Sequence, residues 1–237
     1  MMSDRTPIAA DHPFEERYAR MLHELRTSPH VDLEHEARGP VDDFLADPER
    51  VFHALAEEYR LPVAAAFRPV FFRQAGLGVF WRSVPPLPLV VGEFHLRHVY
   101  LSAIREPVPW LADQVTDEHA EVAAELRVMD DTPQGGSGRF AALRTTPGTA
   151  ESQIWLYDMS HDHRAITPLE VDYRGYLEAL LLTRGFSGWQ YLYADVPLGA
   201  PEFRGIRRTI EEALEVLPKA FPGDDHTPLF ERFERRS

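Results

Sequence analysis

The sequence contains no cysteine. Disulfides, thiolate metal sites and cysteine nucleophiles are therefore excluded, and such a chain suits a reducing compartment. Lysine occurs once, at Lys219, so every other basic side chain apart from histidine is arginine. Positive charge is scarce overall, with a formal net charge of −13. Nucleic-acid binding needs clustered Lys and Arg, and a polybasic membrane patch needs the same, so neither partner is expected. No apolar run approaches the roughly 20 residues that span a bilayer. The first residues are polar and lack the basic start and apolar core of a signal peptide. The expected location is the cytoplasm, and the charge suits a basic partner protein or plain solubility.

Reaction motifs are also missing. There is no G-x-S-x-G, since Ser137 sits in GGSGR. A phosphate loop would need a Lys after the glycines, and none follows. Gly76-Leu77-Gly78 precedes a strand rather than opening a helix, so it is no dinucleotide fingerprint.

What is present is a core. Apolar residues make up 44% of 237 positions, enough for one large domain or one domain with extensions. The densest apolar and aromatic run is 172–195, DYRGYLEALLLTRGFSGWQYLYAD. It predicts a helix capped by Asp172, with Tyr173, Tyr176, Leu177, Leu180 and Leu181 on one face, stopped at Gly185. Phe186, Trp189, Tyr191 and Tyr193 then cluster as packing residues.

Along the chain, residues 1–12 read as a frayed tail. Phe14, Tyr18, Met21, Leu22 and Leu25 form the stripe of a helix starting near Pro13. Residues 30–40 read as a linker. Asp47-Pro48-Glu49 predicts a helix start, with Val51, Phe52, Leu55, Ala56 and Tyr59 inward. Pro62 opens a further helical segment carrying Phe67 and Phe71, which Gly76 and Gly78 are expected to stop. Residues 79–82 read as a strand, followed by a proline-interrupted loop. Residues 89–102 predict one or two strands, with Phe94, Leu96, His98 and Tyr100 on one face and His95, Arg97, Val99 and Leu101 on the other. A helix is expected from about Asp117 to Met129, then a loop over 130–138. Strands are predicted at 140–145, 153–157 and 165–167, in a meander. A last helix over 203–217 is ended by Pro218 and Pro222, and the tail after Gly223 is expected to be loose, with Leu229, Phe230 and Phe233 able to dock.

Candidate chemistry is sparse. Asp158, Ser160 and Asp162 have the spacing of calcium-loop oxygens, but His163 stands where the turn needs Gly and Leu169 where a bidentate Glu is needed. A polar turn between strands is the better reading. A metal-dependent hydrolase using Asp158, His161, Asp162 and His163 is the enzymatic alternative. His95 and His98 would share a face on a helix but fall on opposite faces of a strand, which removes them as a metal pair. The acid pairs Asp42-Asp43, Asp130-Asp131 and Asp224-Asp225 read as solvated surface. No catalytic, cofactor-binding or metal residue is therefore assigned.

Two stretches carry a family resemblance. YLEALLLTRGFSGWQYLYAD resembles the C-terminal helix and aromatic segment of the SUKH superfamily, which includes fungal cell-wall-assembly and killer-toxin-resistance regulators and many bacterial immunity proteins. Glu57-Glu58-Tyr59-Arg60-Leu61-Pro62, followed by Phe67, Phe71, Phe72 and Gly76, is similar to the family's acidic helix, Leu-Pro turn and aromatic helix. Where the family has Asn before that glycine, this chain has Ala75. The segment IWLYDMSHDHRAITPL sits at the family's strand–turn–strand. The resemblance covers roughly 47–195 and implies an α+β domain with a central, mainly antiparallel sheet. An N-terminal helical extension (1–46) precedes it, and a C-terminal helix and tail (196–237) follow. It implies a protein-binding role without catalytic residues or cofactors. The partner would be a toxin domain, often a nuclease, met through an acidic surface that includes loops 130–138 and 158–163. A regulatory adaptor of the same fold is the other binding function.

Overall fold

The computed structural model describes residues 13–61, 67–145, 152–159 and 166–237. The tail at 1–12, the helical segment expected at 62–66 and the turn at 160–165 lie outside the described residues.

Helix α1 (Pro13–Thr27) carries Glu15 and Glu16 in its first turn and buries Phe14, Tyr18, Met21, Leu22 and Leu25, the predicted stripe. The expected linker at 30–40 is instead strand β1 (Val31–Arg38), antiparallel to β2 (Gly76–Ser83). Its apolar members are only partly buried, and Asp32 and Glu34 stand in solvent. Charge on an exposed edge strand blocks pairing with other chains, which is why the stretch looks like a linker. Helix α2 (Pro48–Glu57) starts where Asp47 accepts from the backbone N–H of Glu49 and Arg50, at 3.0 and 3.2 Å. After a 3-10 turn at Arg68–Val70, Gly76 and Gly78 lie inside β2 rather than stopping a helix.

Strand β3 (Val91–Arg97) is followed by a short helix, α3 (Val99–Ala103), so the predicted alternation ends at Arg97. Helices α4 (Leu111–Gln114) and α5 (Asp117–Glu125) lead into β4 (Leu126–Asp131), which places Met129 in a strand and not in the expected helix. Strands β5 (Arg139–Arg144), β6 (Gln153–Asp158) and β7 (Ile166–Asp172) follow, the last longer than the predicted 165–167. The seven strands run in order β1 to β7 with every neighbour antiparallel. The fold is α+β.

Helix α6 (Tyr173–Thr183) has Asp172 as its cap, accepting from the Gly175 N–H at 2.7 Å. Helix α7 (Arg204–Ala220) keeps Pro218 within its last turns. The tail expected to be loose is helix α8 (Thr227–Arg236), anchored by fully buried Leu229. One core gathers residues from α1, α2, α6, α7, α8 and the inner face of the sheet, so the two terminal segments share the core of 47–195. A smaller cluster, including Leu111, Val115, Trp155 and Tyr157, seats α4 and α5 on the outer face of β4–β7. Among the described residues, no helix is long and apolar enough to cross a membrane.

The sheet has a seam. Strands β3 and β4 pair only at His95↔Asp131 and Leu96↔Asp130. Below that point residues 185–187 replace β4: Glu93 N donates to Gly185 O and Ser187 N to Val91 O, both at 2.8 Å. At the far end of the same segment, Glu170 N donates to Tyr193 O at 2.7 Å. The aromatic stretch after α6 therefore connects β3 to β7 through main-chain bonds. This requires close approach. Gly185 has φ +67°, and a Cβ there would stand 2.8 Å from Phe94 Cδ1. The neighbouring Gly92 leaves room for the buried indole of Trp81, whose Nε1 donates to Arg184 O at 2.8 Å. A Cβ on Gly92 would lie 2.0 Å from that Nε1. Gly92→Ala should therefore cost about 3 kcal/mol, combining overpacking with the displaced hydrogen bond. Urea denaturation measures it, and a variant as stable as the parent would refute the tight fit.

Candidate functional site

The carboxylates expected on the surface of loop 130–138 are turned inward or paired. A bulge between Val128 and Asp130 directs both Met129 and Asp130 into the core. Tyr176 donates its hydroxyl to Asp130 Oδ2 at 2.6 Å, and His95 N donates to Oδ1 at 2.9 Å. Burial pushes the Asp130 carboxyl up to about 7 despite those bonds. Asp131 takes the outer face, where it accepts from Arg97 Nη2 at 2.8 Å and meets His95 Nδ1 at 3.0 Å. Burial opposes ionisation of Asp131, but its bonds to His95 and Arg97 prevail and hold it below the usual carboxylate range. Glu93 is buried and accepts from Gln134 N and Gly135 N at 2.5 and 2.7 Å, fastening the loop to β3. Desolvation raises its carboxyl above the ordinary value. Asp130 and Asp131 are thus not solvated surface. Of the other two pairs, Asp42 and Asp43 are exposed, and Asp224 pairs with Arg184 while Asp225 is exposed.

The calcium-like loop has its first member, Asp158, described. That carboxylate is buried against Arg139 and accepts from Tyr191 Oη at 3.0 Å. Arg139 Nη1 in turn donates to Ser187 Oγ at 2.8 Å. Asp158 therefore belongs to an internal ion pair and presents no acid to a partner. Ser160, His161, Asp162 and His163 lie outside the described residues, and Leu169 is buried in β7. Among the described residues, no group of three or more His, Asp or Glu side chains is placed to hold a metal ion.

His95 and His98 part company, although not as two residues of one strand, since His98 lies past the end of β3 and caps α3. His98 is buried, its ring edge-on to Phe71 and Phe72 at 5.2 and 5.5 Å. Burial lowers its pKa to about 4. His95 lies on the outer face, where β2 opposes it with Gly78 and opposes Arg97 with Gly76. The absent side chains leave the imidazole space: a Cβ on Gly76 would stand 3.7 Å from His95 Nε2. The Asp131 bond raises the His95 pKa above the ordinary value. A cavity of about 480 Å³ opens here, lined by Gly39, Gly76, His95, Arg97, Leu101 and Arg105 among others. Among the described residues its lining has no hydroxyl, thiol or carboxylate, and the His95 imidazole is its one side chain of nucleophilic type.

A second outer-face feature lies over β5–β7. Trp110, just before α4, is 45% exposed. Its ring stands edge-on to Tyr157 and Phe140, at 5.5 and 6.3 Å between centroids. Asp113 on α4 and Asp117 and Glu121 on α5 are exposed around this helix pair. Sequence reasoning placed the acidic surface in the loops instead. The local signal was Trp110 followed by acids at 113, 117 and 121, a spacing of four on helices. Comparison of the chain with protein-family models, with curated proteins and with solved structures finds no match.

Proposed function

We propose that this protein is a non-catalytic binding protein of SUKH type, an immunity protein that neutralises a cognate basic toxin domain in the cytoplasm. The observation that carries this reading is Trp110, exposed and supported from beneath by Tyr157 and Phe140, on a helix pair rich in exposed acids. A rigidly seated aromatic residue is the usual energetic centre of a protein interface. Surrounding carboxylates steer a basic partner and suppress acidic ones. The net charge of −13 acts in the same direction. The residues behind the SUKH resemblance support the reading by their place: Leu61, Phe67, Phe71, Phe72, Tyr176 and Trp189 are core, consistent with a scaffold rather than a reaction centre.

The test mixes the purified protein with the toxin domain encoded beside it. A stable complex and loss of toxin activity at equimolar protein are expected; no complex and undiminished activity would sink the proposal. Trp110→Ala should raise Kd by about 100-fold, the value of a central aromatic anchor. Asp113→Asn with Asp117→Asn should mainly slow association and weaken its salt dependence. An unchanged Kd for Trp110→Ala would remove this helix pair as the interface.

A further inference from the structure

We propose that the cavity between the end of β1, the outer face of β2–β3 and α3 is a binding site for a small phosphorylated molecule. This site is separate from the Trp110 surface and does not depend on the toxin-binding reading.

Charge is the first observation. The protein is acidic, with net charge −13, yet the cavity is lined by His95, Arg97 and Arg105 and by no carboxylate among the described residues, with Asp131 beside it pairing His95 and Arg97. Arg38, also in the lining, pairs with Glu36. With His95 protonated, three cations face one anion, leaving two positive charges, the complement of a phosphoryl dianion. The Asp131 bond that raises the pKa of His95 favours that protonation.

Unmet hydrogen bonding is the second. Asp131 engages Arg97 through Nη2 alone, at 2.8 Å, and Arg97 Nε is buried without a partner. A buried donor left unpaired costs free energy, and Nε has almost no open surface, so an acceptor recovers that cost once the guanidinium turns toward it. The guanidinium offers its donors in a planar fork that matches phosphoryl oxygens. Asp131 also fixes His95 through Nδ1, which leaves Nε2 as the donor not held by the carboxylate. Arg105, exposed beyond α3, forms no ion pair among the described residues and can close over a bound anion.

Shape is the third. A volume of about 480 Å³ falls within the range of small-molecule sites and exceeds what a bare phosphate fills. Gly39 and Gly76 line one wall without side chains, while Ala37, Ala75 and Leu101 supply apolar surface for the rest of a ligand.

Calorimetry on the full chain at pH 6.5 and low salt tests this with inorganic phosphate, adenosine monophosphate and adenosine. Phosphate and the monophosphate should bind, with Kd on the order of 1 mM or tighter, and adenosine should not. Tighter binding of the monophosphate assigns a phosphorylated metabolite; equal affinities assign free phosphate. Arg97→Gln and Arg105→Gln should each weaken binding at least tenfold, while Arg208→Gln on α7 should leave it unchanged. Arg105 is exposed, so its variant keeps the test meaningful even if Arg97→Gln fails to fold. The proposal is overturned if neither phosphate nor the monophosphate gives heat at 20-fold above that Kd. It is also overturned if binding survives Arg105→Gln undiminished.

Discussion

Replacing Arg184 with Ala should destabilise the protein by about 4 kcal/mol, the cost of breaking a buried ion pair from one side. Arg184 is the residue that closes α6. It has φ +52°, a left-handed conformation seldom used by side chains other than Gly and Asn, and Gly185 continues it at +67°. The turn sends the arginine inward. Its side chain is 4% exposed and its Nη2 meets both Glu24 of α1 and Asp224 before α8. The guanidinium also lies 4.7 Å from the Phe221 ring centroid, and Nη1 donates to the Leu181 carbonyl at 2.5 Å. One cation therefore joins the N-terminal helix, the core helix and the C-terminal segment. Its loss would leave Glu24 and Asp224 close together without a counter-charge. Each acid is about one-third exposed, at 33% and 31%, and remains partly hydrated. Glu24→Gln and Asp224→Asn alone should thus cost only about 1 kcal/mol each. Urea denaturation orders the three variants. A cost below about 1 kcal/mol for Arg184→Ala would mean that the cation contributes no more than a surface pair. Hydrogen exchange provides a second readout: in Arg184→Ala, α1 and α8 should lose protection before β5 and β6.

Arg184 also marks the limit of what the local sequence conveys. Gly185 is legible as a helix stop. The stripes of α1, α2, α6 and α7 are legible because apolar residues recurring every three or four positions mark a helix buried on one side. Strand β1 is hidden because an edge strand needs few apolar residues; its alternation of Val31 and Leu33 with Asp32 and Glu34 is the whole signal. The outer-face cavity is half legible. Alternation places His95, Arg97 and Leu101 together, and Leu101 reaches the same cavity from α3 rather than from a longer strand. Its counter-charge was not legible, because Asp131 arrives from a strand that looks like the beginning of a glycine-rich loop. Register is a non-local property, and one bulged residue changes which face a side chain takes. The same holds for Arg139 and Asp158, brought opposite each other by the pairing of β5 with β6.

Asp130 should make stability fall as pH rises from about 4 to 7, and Asp130→Asn should abolish most of that dependence. In the unfolded chain the carboxyl ionises near the ordinary value of about 3.9. In the fold, burial holds it at about 7. Below both values the group is neutral in either state and folding is unaffected. Between them the unfolded chain releases its proton while the folded protein retains it, so unfolding becomes progressively easier. Above about 7 the folded carboxylate is charged as well and the penalty levels off. A gap of about three units corresponds to about 4 kcal/mol. Asparagine is neutral throughout and retains an oxygen to accept from His95 N. Its amide nitrogen cannot accept the Tyr176 hydroxyl as Oδ2 does, a cost that does not vary with pH. The stability of the variant relative to the parent should therefore rise by about 4 kcal/mol between pH 4 and pH 8. Denaturation across this range isolates the effect, because groups unaffected by the substitution cancel in the difference. A difference that stays flat with pH would mean that Asp130 ionises in the fold as it does in water. The location gives the effect a structural direction. Asp130 occupies one of the two positions at which β3 meets β4, and Tyr176 ties it to α6. A charge there strains the narrowest joint in the sheet, so amides of 94–97 and 128–131 should lose exchange protection at pH 8 relative to pH 5 in the parent and not in Asp130→Asn.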